Sequence, residues 1–352
     1  ARFENLIHVD NHLEPLMENI EGTNLILNDT TQAGFTAGTL YDKKNNPIYY
    51  SIYVNSTMFD FSQDALNTFS KTGINNLEKM GYDSLNYPVG SLEIKASWML
   101  TSDMSNSELA DYYVTQAHMG SSDGEIMDVA LIGIHIVGVV ENHPEFIWAT
   151  FEHTNLAPDY DWNSRDGIAQ VLSSEDMTFY SANQTAEQCR MNSITAKQST
   201  FKSIYRVYAL GMAQGMDSLP SLADKENNKN IEDLNKSVHN SLAVEVGPWK
   251  NYFYAGSVWI DPTVSELEPD DKGMGELTND NLTGSRACAN ITMETYEQPD
   301  ANTSQFSGSK NCFSCHTTYD DDNRVGYNLA LSHLFTNALA RKLNPLENYD
   351  NN

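Results

Sequence analysis

Basic residues are scarce in this chain: 21 Lys and Arg stand against 48 Asp and Glu, a formal charge of −27 over 352 residues. Such a surface repels phosphate backbones and anionic membranes, so nucleic acid is excluded as a partner. What remains is solubility, as in saline surroundings, or the steering of a basic redox partner. Long apolar runs are missing too. The longest, Val129 to Val140, has His135 inside it and falls short of the roughly 18 residues of a spanning helix, so no membrane span is expected. No internal repeat is present. The opening Ala1-Arg2-Phe3-Glu4 carries no basic start and no apolar block, so an export signal is expected to have been removed already. Disorder is excluded by 40% apolar and 10% aromatic content, and the length suits one large core or two ordinary ones.

Cysteine is rare as well, with 4 residues, yet two of them fall in Cys312-Phe313-Ser314-Cys315-His316. Thiols at i and i+3 lie one turn apart on one face, and an imidazole follows at once. That is the attachment pattern of a c-type haem: each thiol forms a thioether to one vinyl group, and His316 reaches the iron as proximal ligand. Composition alone would produce the pattern in about one such chain in a thousand. A thioredoxin-like pair would want a strand before it, whereas Gln305 to Asn311 is a polar stretch. A closed zinc site would want a second close Cys or His pair, and the next histidine is the distant His333. Haem attachment occurs outside the bacterial cytoplasm, so a periplasmic or extracellular location is expected. Cys189 and Cys288 are left over, as a disulfide or as buried thiols.

Along the chain, Thr23–Leu27 and Ile48–Val54 read as strands between Asn, Pro and Gly turns. A helix is expected from Ser62 to Met80. In Ser91–Leu100, Leu92, Ile94, Ala96 and Trp98 share one face and Glu93, Lys95 and Ser97 the other, the pattern of a half-buried strand. Ser105-Asn106-Ser107-Glu108 reads as a capping box opening a helix through Ala117. Asp128–Val140 and Glu145–His153 read as an antiparallel hairpin inside a sheet. Helices are expected over Ser203–Met216, over Asn230–Ala243 with Ile231, Leu234, Val238 and Leu242 as the packing side, and over Leu329–Leu343. Asp261–Gly284 reads as a surface loop or linker, and Tyr319–Asn323 as a solvated turn. Asp159-Tyr160-Asp161-Trp162-Asn163 imitates half a calcium loop, but Ser164 replaces the turn glycine and Gln170 the closing glutamate. Calcium is therefore a weak expectation beside an Asx-rich turn.

A haem needs about a hundred residues to wrap it, so much of this chain serves something besides attachment. Ionisable groups inside apolar strands are costly unless paired or working, which singles out Lys95, His135, Glu152 and His153 as candidate catalytic residues beside Trp98. The alternative is a structural ion pair such as Lys95 with Glu152. Candidate sixth iron ligands are His8, His12, His118, His135, His143, His153, His239, His333 and Met293.

The segments Glu93–Trp98, Gly133–Val137, Pro144–His153, Asn311–His316 and Ser332–Phe335 together resemble a family of exported bacterial proteins labelled monohaem cytochromes c, whose reaction is not established. The resemblance implies haem, export and a shared architecture, and carries over Cys312, Cys315 and His316. A more distant similarity, of placement alone, is to the lysine-crosslinked hydroxylamine-oxidising cytochromes, which also join a β-rich body to a late attachment motif; in that likeness Lys95 would stand for the crosslinking lysine.

The expected fold is α+β: an antiparallel sheet over residues 1–260 with packed helices, and a C-terminal helical haem segment, 285–352, resting on it as part of one domain or as a second. The expected function is that of a haem-based redox enzyme acting on a small molecule. Two alternatives stand beside it: a six-coordinate cytochrome passing electrons between protein partners, and a fold that uses haem as a structural staple.

Overall fold

The computed structural model describes residues 6–16, 25–32, 38–72, 86–102, 104–161, 163–189, 200–208, 222–242, 244–260, 282–285, 287–295, 311–316 and 328–343. The two β-rich runs after Asp128 pair with each other as the sequence implies. They are β6 (Ile126–Val140) and β7 (His143–His153), antiparallel, with Gly133 opposite Glu152, His135 opposite Thr150 and Val137 opposite Trp148. Asn142 turns the corner at φ 67°, a left-handed conformation that a short polar side chain tolerates.

Around this hairpin the chain builds one nine-stranded sheet. The other strands are β1 (Leu6–Val9), β2 (Ile26–Leu27), β3 (Tyr49–Asn55), β4 (Leu92–Leu100), β5 (Val114–Met119), β8 (Tyr252–Ile260) and β9 (Leu282–Gly284). The order is β1-β3-β4-β6-β7-β8-β9, with β5 sharing an edge of β6 with β7, and β2 added to β5. Every pairing is antiparallel except β2 with β5. The helices are α1 (Ser56–Thr72), α2 (Asn106–Leu109), α3 (Leu222–Ser241) and α4 (His333–Leu343), so the fold is α+β. Among the described residues no helix is long and apolar enough to cross a membrane.

Several elements differ from the sequence reading. The capping box at Ser105 and Glu108 is present, but α2 stops at Leu109, and β-branched Val114 and Thr115 open strand β5 in place of the expected helix. The expected helix after Ser62 begins earlier, at Ser56, and its far end, 74–80, lies outside the described residues. Residues 203–208 are irregular backbone pinned by the bridge between Asp159 and Arg206, not the start of a helix; residues 209–216 lie outside the described set. The C-terminal helix is broken at Ser332, with a tight turn over Asn328–Leu331 before α4. Strand β8 carries no clean alternation, so the sequence does not announce it. Of the expected linker, Leu282–Gly284 is strand β9 and 261–281 lie outside the description, as does the expected turn at 319–323.

Helix α3 docks by a face other than the apolar one. Ile231 is buried, but Leu234 and Val238 are 48% and 44% exposed. Instead Asn235 exchanges both hydrogen bonds with the backbone of Tyr254, its Nδ2 donating to the carbonyl and its Oδ1 accepting from the amide, each at 2.8 Å. His239 Nε2–H donates to the Tyr252 carbonyl at 2.8 Å.

One apolar cluster joins the body to the C-terminal segment, uniting Val54, Met58, Val137, Phe146 and Trp148 with Phe313, Leu334, Phe335 and Leu339. Fully burying each such side chain contributes about 1.5–3 kcal/mol. A second cluster, with Tyr50, Ile132, Leu156, Phe179, Tyr205 and Met293, holds Cys189.

Candidate functional site

The polar side of β4 does not face solvent. Glu93, Lys95 and Ser97 lie in register with Val137, His135 and Gly133 on one neighbour and with Val54, Ile52 and Tyr50 on the other. Rows therefore cross the sheet on a single face, one of them Ile52–Lys95–His135–Thr150. This face is roofed by the segment 287–295 and by the turn that carries the cysteines.

Gly133 makes the roof possible. A Cβ there would stand 2.4 Å from Thr292 Oγ1 and 2.7 Å from Ser97 Oγ, so only glycine lets the segment come down onto β6. Ser97 Oγ and Thr292 Oγ1 are 2.6 Å apart, Tyr50 OH donates to the Thr292 carbonyl at 2.6 Å, and Asn290 Nδ2 donates to Thr150 Oγ1 at 2.8 Å. These anchors carry Glu294 to His135: Glu294 Oε1 lies 2.7 Å from His135 Nε2, while its Oε2 accepts from the Asn290 amide at 2.7 Å.

The other part of the roof is the motif. Cys312–Ser314 forms a single tight turn, closed by the His316 amide donating to the Cys312 carbonyl at 2.9 Å. Phe313 is buried and anchors the turn in the core. His316 Nδ1–H donates to the Leu331 carbonyl at 2.7 Å, which fixes the tautomer and leaves Nε2 with its lone pair. Burial holds this imidazole well below its usual pKa, with the neighbouring His333 adding to the effect, so the ring is neutral and ready to ligate.

Between sheet and roof lies a cavity of about 250 Å³. Its lining includes Cys312, Cys315, His316 and Trp148, together with Glu93, Lys95, His135, Glu294 and Cys288. Residues from five separate stretches of sequence thus converge on one space. Burial drives the Glu93 carboxyl up to about 7 against a hydrogen bond donated by Ser332 Oγ at 3.0 Å. Burial also pulls Lys95 down from its ordinary value, with nearby Asp29, Glu294 and Glu93 opposing, and its ammonium lies 5.1 Å from the Tyr50 ring centroid.

The donor set fits a covalently held haem. Two thiols and a neutral imidazole with a fixed tautomer open on one cavity. Cys312 is largely covered and Cys315 is exposed, so the pair runs from the wall towards solvent. The indole N–H of Trp148, in that wall, is buried without a hydrogen-bond partner, a state that a bound acceptor would relieve. Among the described residues no three His, Cys, Asp or Glu side chains gather closely enough to hold a metal ion by themselves. Haem iron asks for only one, His316.

Of the other expected site residues, Lys95 and His135 line the cavity, and Glu152 and His153 do not. Glu152 is fully buried under Arg206, whose Nη2 and Nε donate to Oε2 at 2.6 and 3.0 Å, while Oε1 accepts from the Ile291 amide at 2.9 Å. The suggested Lys95–Glu152 pair is therefore replaced by Glu152–Arg206. His153 lies against Tyr112, ring centroids 3.8 Å apart, with Nε2–H donating to the Asp111 carbonyl at 3.0 Å and Nδ1 accepting from the Asn155 amide at 3.1 Å. Trp98 bonds to Ser51 Oγ at 2.8 Å on the opposite face. In the calcium-like stretch, Asp159 is taken by Arg206, and Gln170 closes the loop by accepting from the Asp161 amide at 3.0 Å. Cys189 and Cys288 are not bridged: one sits in the second apolar cluster, the other at the cavity. Sequence reasoning misses Glu294 and Cys288, since a carboxylate and a thiol in an irregular stretch show no periodicity.

Compared with known proteins, the chain matches no family model, no curated protein and no solved structure.

Proposed function

We propose that this protein carries one covalently attached haem on Cys312, Cys315 and His316, and that the chain before it shapes a pocket for redox chemistry on a small molecule. The observation that carries this reading is the convergence of the motif with Lys95, His135, Glu93 and Glu294 on one cavity. The group supplies electrons and an iron coordination position; the chain supplies everything else.

His135 and Glu294, bonded at 2.7 Å, form a pair able to accept and return a proton within the cavity. Glu93, raised to about 7, holds a proton at an exchangeable level near neutrality. Lys95, whose pKa burial lowers, brings an amine into the cavity lining. It lines the same cavity as the thiols, which makes a covalent bond between this side chain and the macrocycle a question the proposal can put to test. Peptide mapping of the purified holoprotein tests whether Lys95 bears a bond to the macrocycle.

The six-coordinate alternative draws less support. His333 stacks face to face on His316, 4.0 Å between centroids at 19°, and its Nε2 is engaged by the Cys315 carbonyl at 3.3 Å, so this ring is held on the motif itself. Met293 is packed in the second apolar cluster, away from the cavity. Among the described residues only His135 remains there, and its Nε2 is held by Glu294.

The deciding experiment is expression in a host that matures c-type cytochromes outside the cytoplasm. The expected result is an added mass of ~616 Da and a ferric high-spin spectrum that shifts with cyanide, and on reduction with carbon monoxide. An unmodified mass ends the haem reading. A low-spin spectrum indifferent to both ligands ends the enzyme and leaves the electron carrier.

A further inference from the structure

Three consecutive residues, Leu331 to His333, form a strap over the motif. The Leu331 carbonyl accepts the His316 Nδ1 proton at 2.7 Å, and the His333 ring stacks on the same imidazole while its Nε2 meets the Cys315 carbonyl at 3.3 Å. Ser332, between them, reaches the sheet instead: its Oγ donates to Glu93 Oε2 on β4 at 3.0 Å. A serine just before a helix ordinarily caps it, its hydroxyl oxygen accepting from amides of the first turn. Here the Ser332 carbonyl accepts from the Phe335 and Thr336 amides, at 3.1 and 3.2 Å, and the hydroxyl hydrogen goes to a carboxylate.

The strap is fixed at its other end as well. Asn328 Nδ2 donates to Asn86 Oδ1 at 2.7 Å, and Leu329, Leu331 and Ser332 are buried. Glu93 is fixed by the sheet, opposite Val54 on β3 and Val137 on β6, with Trp148 in the same row beyond Val137. The Trp148 and His316 ring centroids are 4.3 Å apart. The imidazole therefore touches the sheet through Trp148 and the strap through His333, and the bond from Ser332 to Glu93 ties the two together.

We infer that Glu93 is a positioning residue for the iron ligand: through Ser332 it holds the Leu331 carbonyl on His316 Nδ1, and so sets how strongly His316 donates to the iron. The redox consequence rests on the haem reading above; the strap rests on its own hydrogen bonds. An imidazole whose Nδ1–H is bonded is a stronger donor at Nε2. Stronger donation favours the ferric state and lowers the reduction potential. Without the tie to Glu93 the strap relaxes, the Nδ1 bond weakens and the potential rises. This role asks for an acceptor oxygen at position 93 and not for a charge, which separates it from proton holding by the same side chain.

The test compares Ser332→Ala, Glu93→Met and Glu93→Gln in the full-length holoprotein by spectroelectrochemical titration. Ser332→Ala removes the bond and keeps the carboxyl group; Glu93→Gln keeps an acceptor and removes the ionisable group. Ser332→Ala and Glu93→Met should each give roughly tenfold more reduced haem at a fixed solution potential, a positive shift of ~59 mV for one electron. Glu93→Gln should stay nearer to wild type than to Glu93→Met, and the double variant Ser332→Ala with Glu93→Met should shift no further than either single one. Ser332→Ala at the wild-type potential, or equal shifts in Glu93→Gln and Glu93→Met, overturns the inference. A second measurement needs no haem: nitrogen NMR of the full chain with labelled histidine reads the His316 tautomer directly. The wild-type ring should carry its proton on Nδ1, and Ser332→Ala and Glu93→Met should shift the signals towards the Nε2–H form. Signals unchanged in both variants overturn the positioning role. If the chain takes up no haem, the haem reading fails and the NMR signals alone decide whether Glu93 positions His316.

Discussion

Glu152 and Lys95 stand on the same face of the same sheet, two strands apart, and both are anomalous in their apolar strands. Around Glu152 every charge is neutralised: a guanidinium and a backbone amide saturate its carboxylate, Asp159 takes the rest of Arg206, and His153 next door uses both ring nitrogens. Around Lys95 the charges border open space, and burial displaces both it and Glu93 from their usual values. The first set is finished within the chain. The second leaves capacity for a guest. The same strand chemistry thus serves cohesion where partners are complete and reactivity where they are not.

The sharpest way to break this contrast is Arg206→Met. It strands a buried carboxylate and should cost about 3–5 kcal/mol in denaturant unfolding. The double variant Arg206→Met with Glu152→Gln should recover most of the loss, because Gln keeps an acceptor for the Ile291 amide. A single variant within about 1 kcal/mol of wild type would show that the pair is not structural.

Next in size is the opposed dependence on pH. Glu93 is raised to about 7, so the unfolded chain ionises first and stability falls as pH climbs from 4.5 towards 7. His153 is held down to about 4 by burial, so the unfolded chain protonates first and stability rises as pH climbs from 4 to 6.5. Where the windows overlap, the two slopes oppose. His153→Leu should expose the fall, at a further cost of about 0.5–1.5 kcal/mol for the Asn155 amide that loses its acceptor, the Asp111 carbonyl keeping Asn251 Nδ2, and Glu93→Gln should expose the rise. Melting curves at intervals between about pH 4 and 7.5 check both signs; identical slopes in the two variants would erase the distinction between the regions.

The smallest effect on stability is expected at Lys95. Lys95→Met should change unfolding by no more than about 1 kcal/mol, since the desolvation penalty it removes offsets the attraction it loses. Ligand shifts in the spectrum of the holoprotein should nevertheless change. A loss comparable with Arg206→Met would make Lys95 a structural cation.

Much of this is legible beforehand. The hairpin of β6 and β7 follows from two β-rich runs around a polar turn, and Cys312, Cys315 and His316, adjacent by spacing, share the lining of one cavity. The alternation of β4 is legible too, but its sense is inverted: polar side chains on one face ordinarily mean water, and here they mean a roofed cavity. Nothing in a single strand distinguishes those cases, because the roof comes from residues 287–295, nearly two hundred positions away. Helix α3 misleads for a related reason. Leu234 and Val238 give it an apolar stripe, whereas Asn235 and His239 make the attachment through backbone groups of β8 that sequence does not display.

That attachment has an effect of its own. Over residues 252–254 the margin of the sheet would offer bare amides and carbonyls to any passing extended chain. Asn235 presents one donor and one acceptor in the arrangement a neighbouring strand would use, and His239 occupies the next carbonyl. A helix thereby impersonates a strand for the length of three residues, and molecules of this protein lose that stretch as a place to zip together.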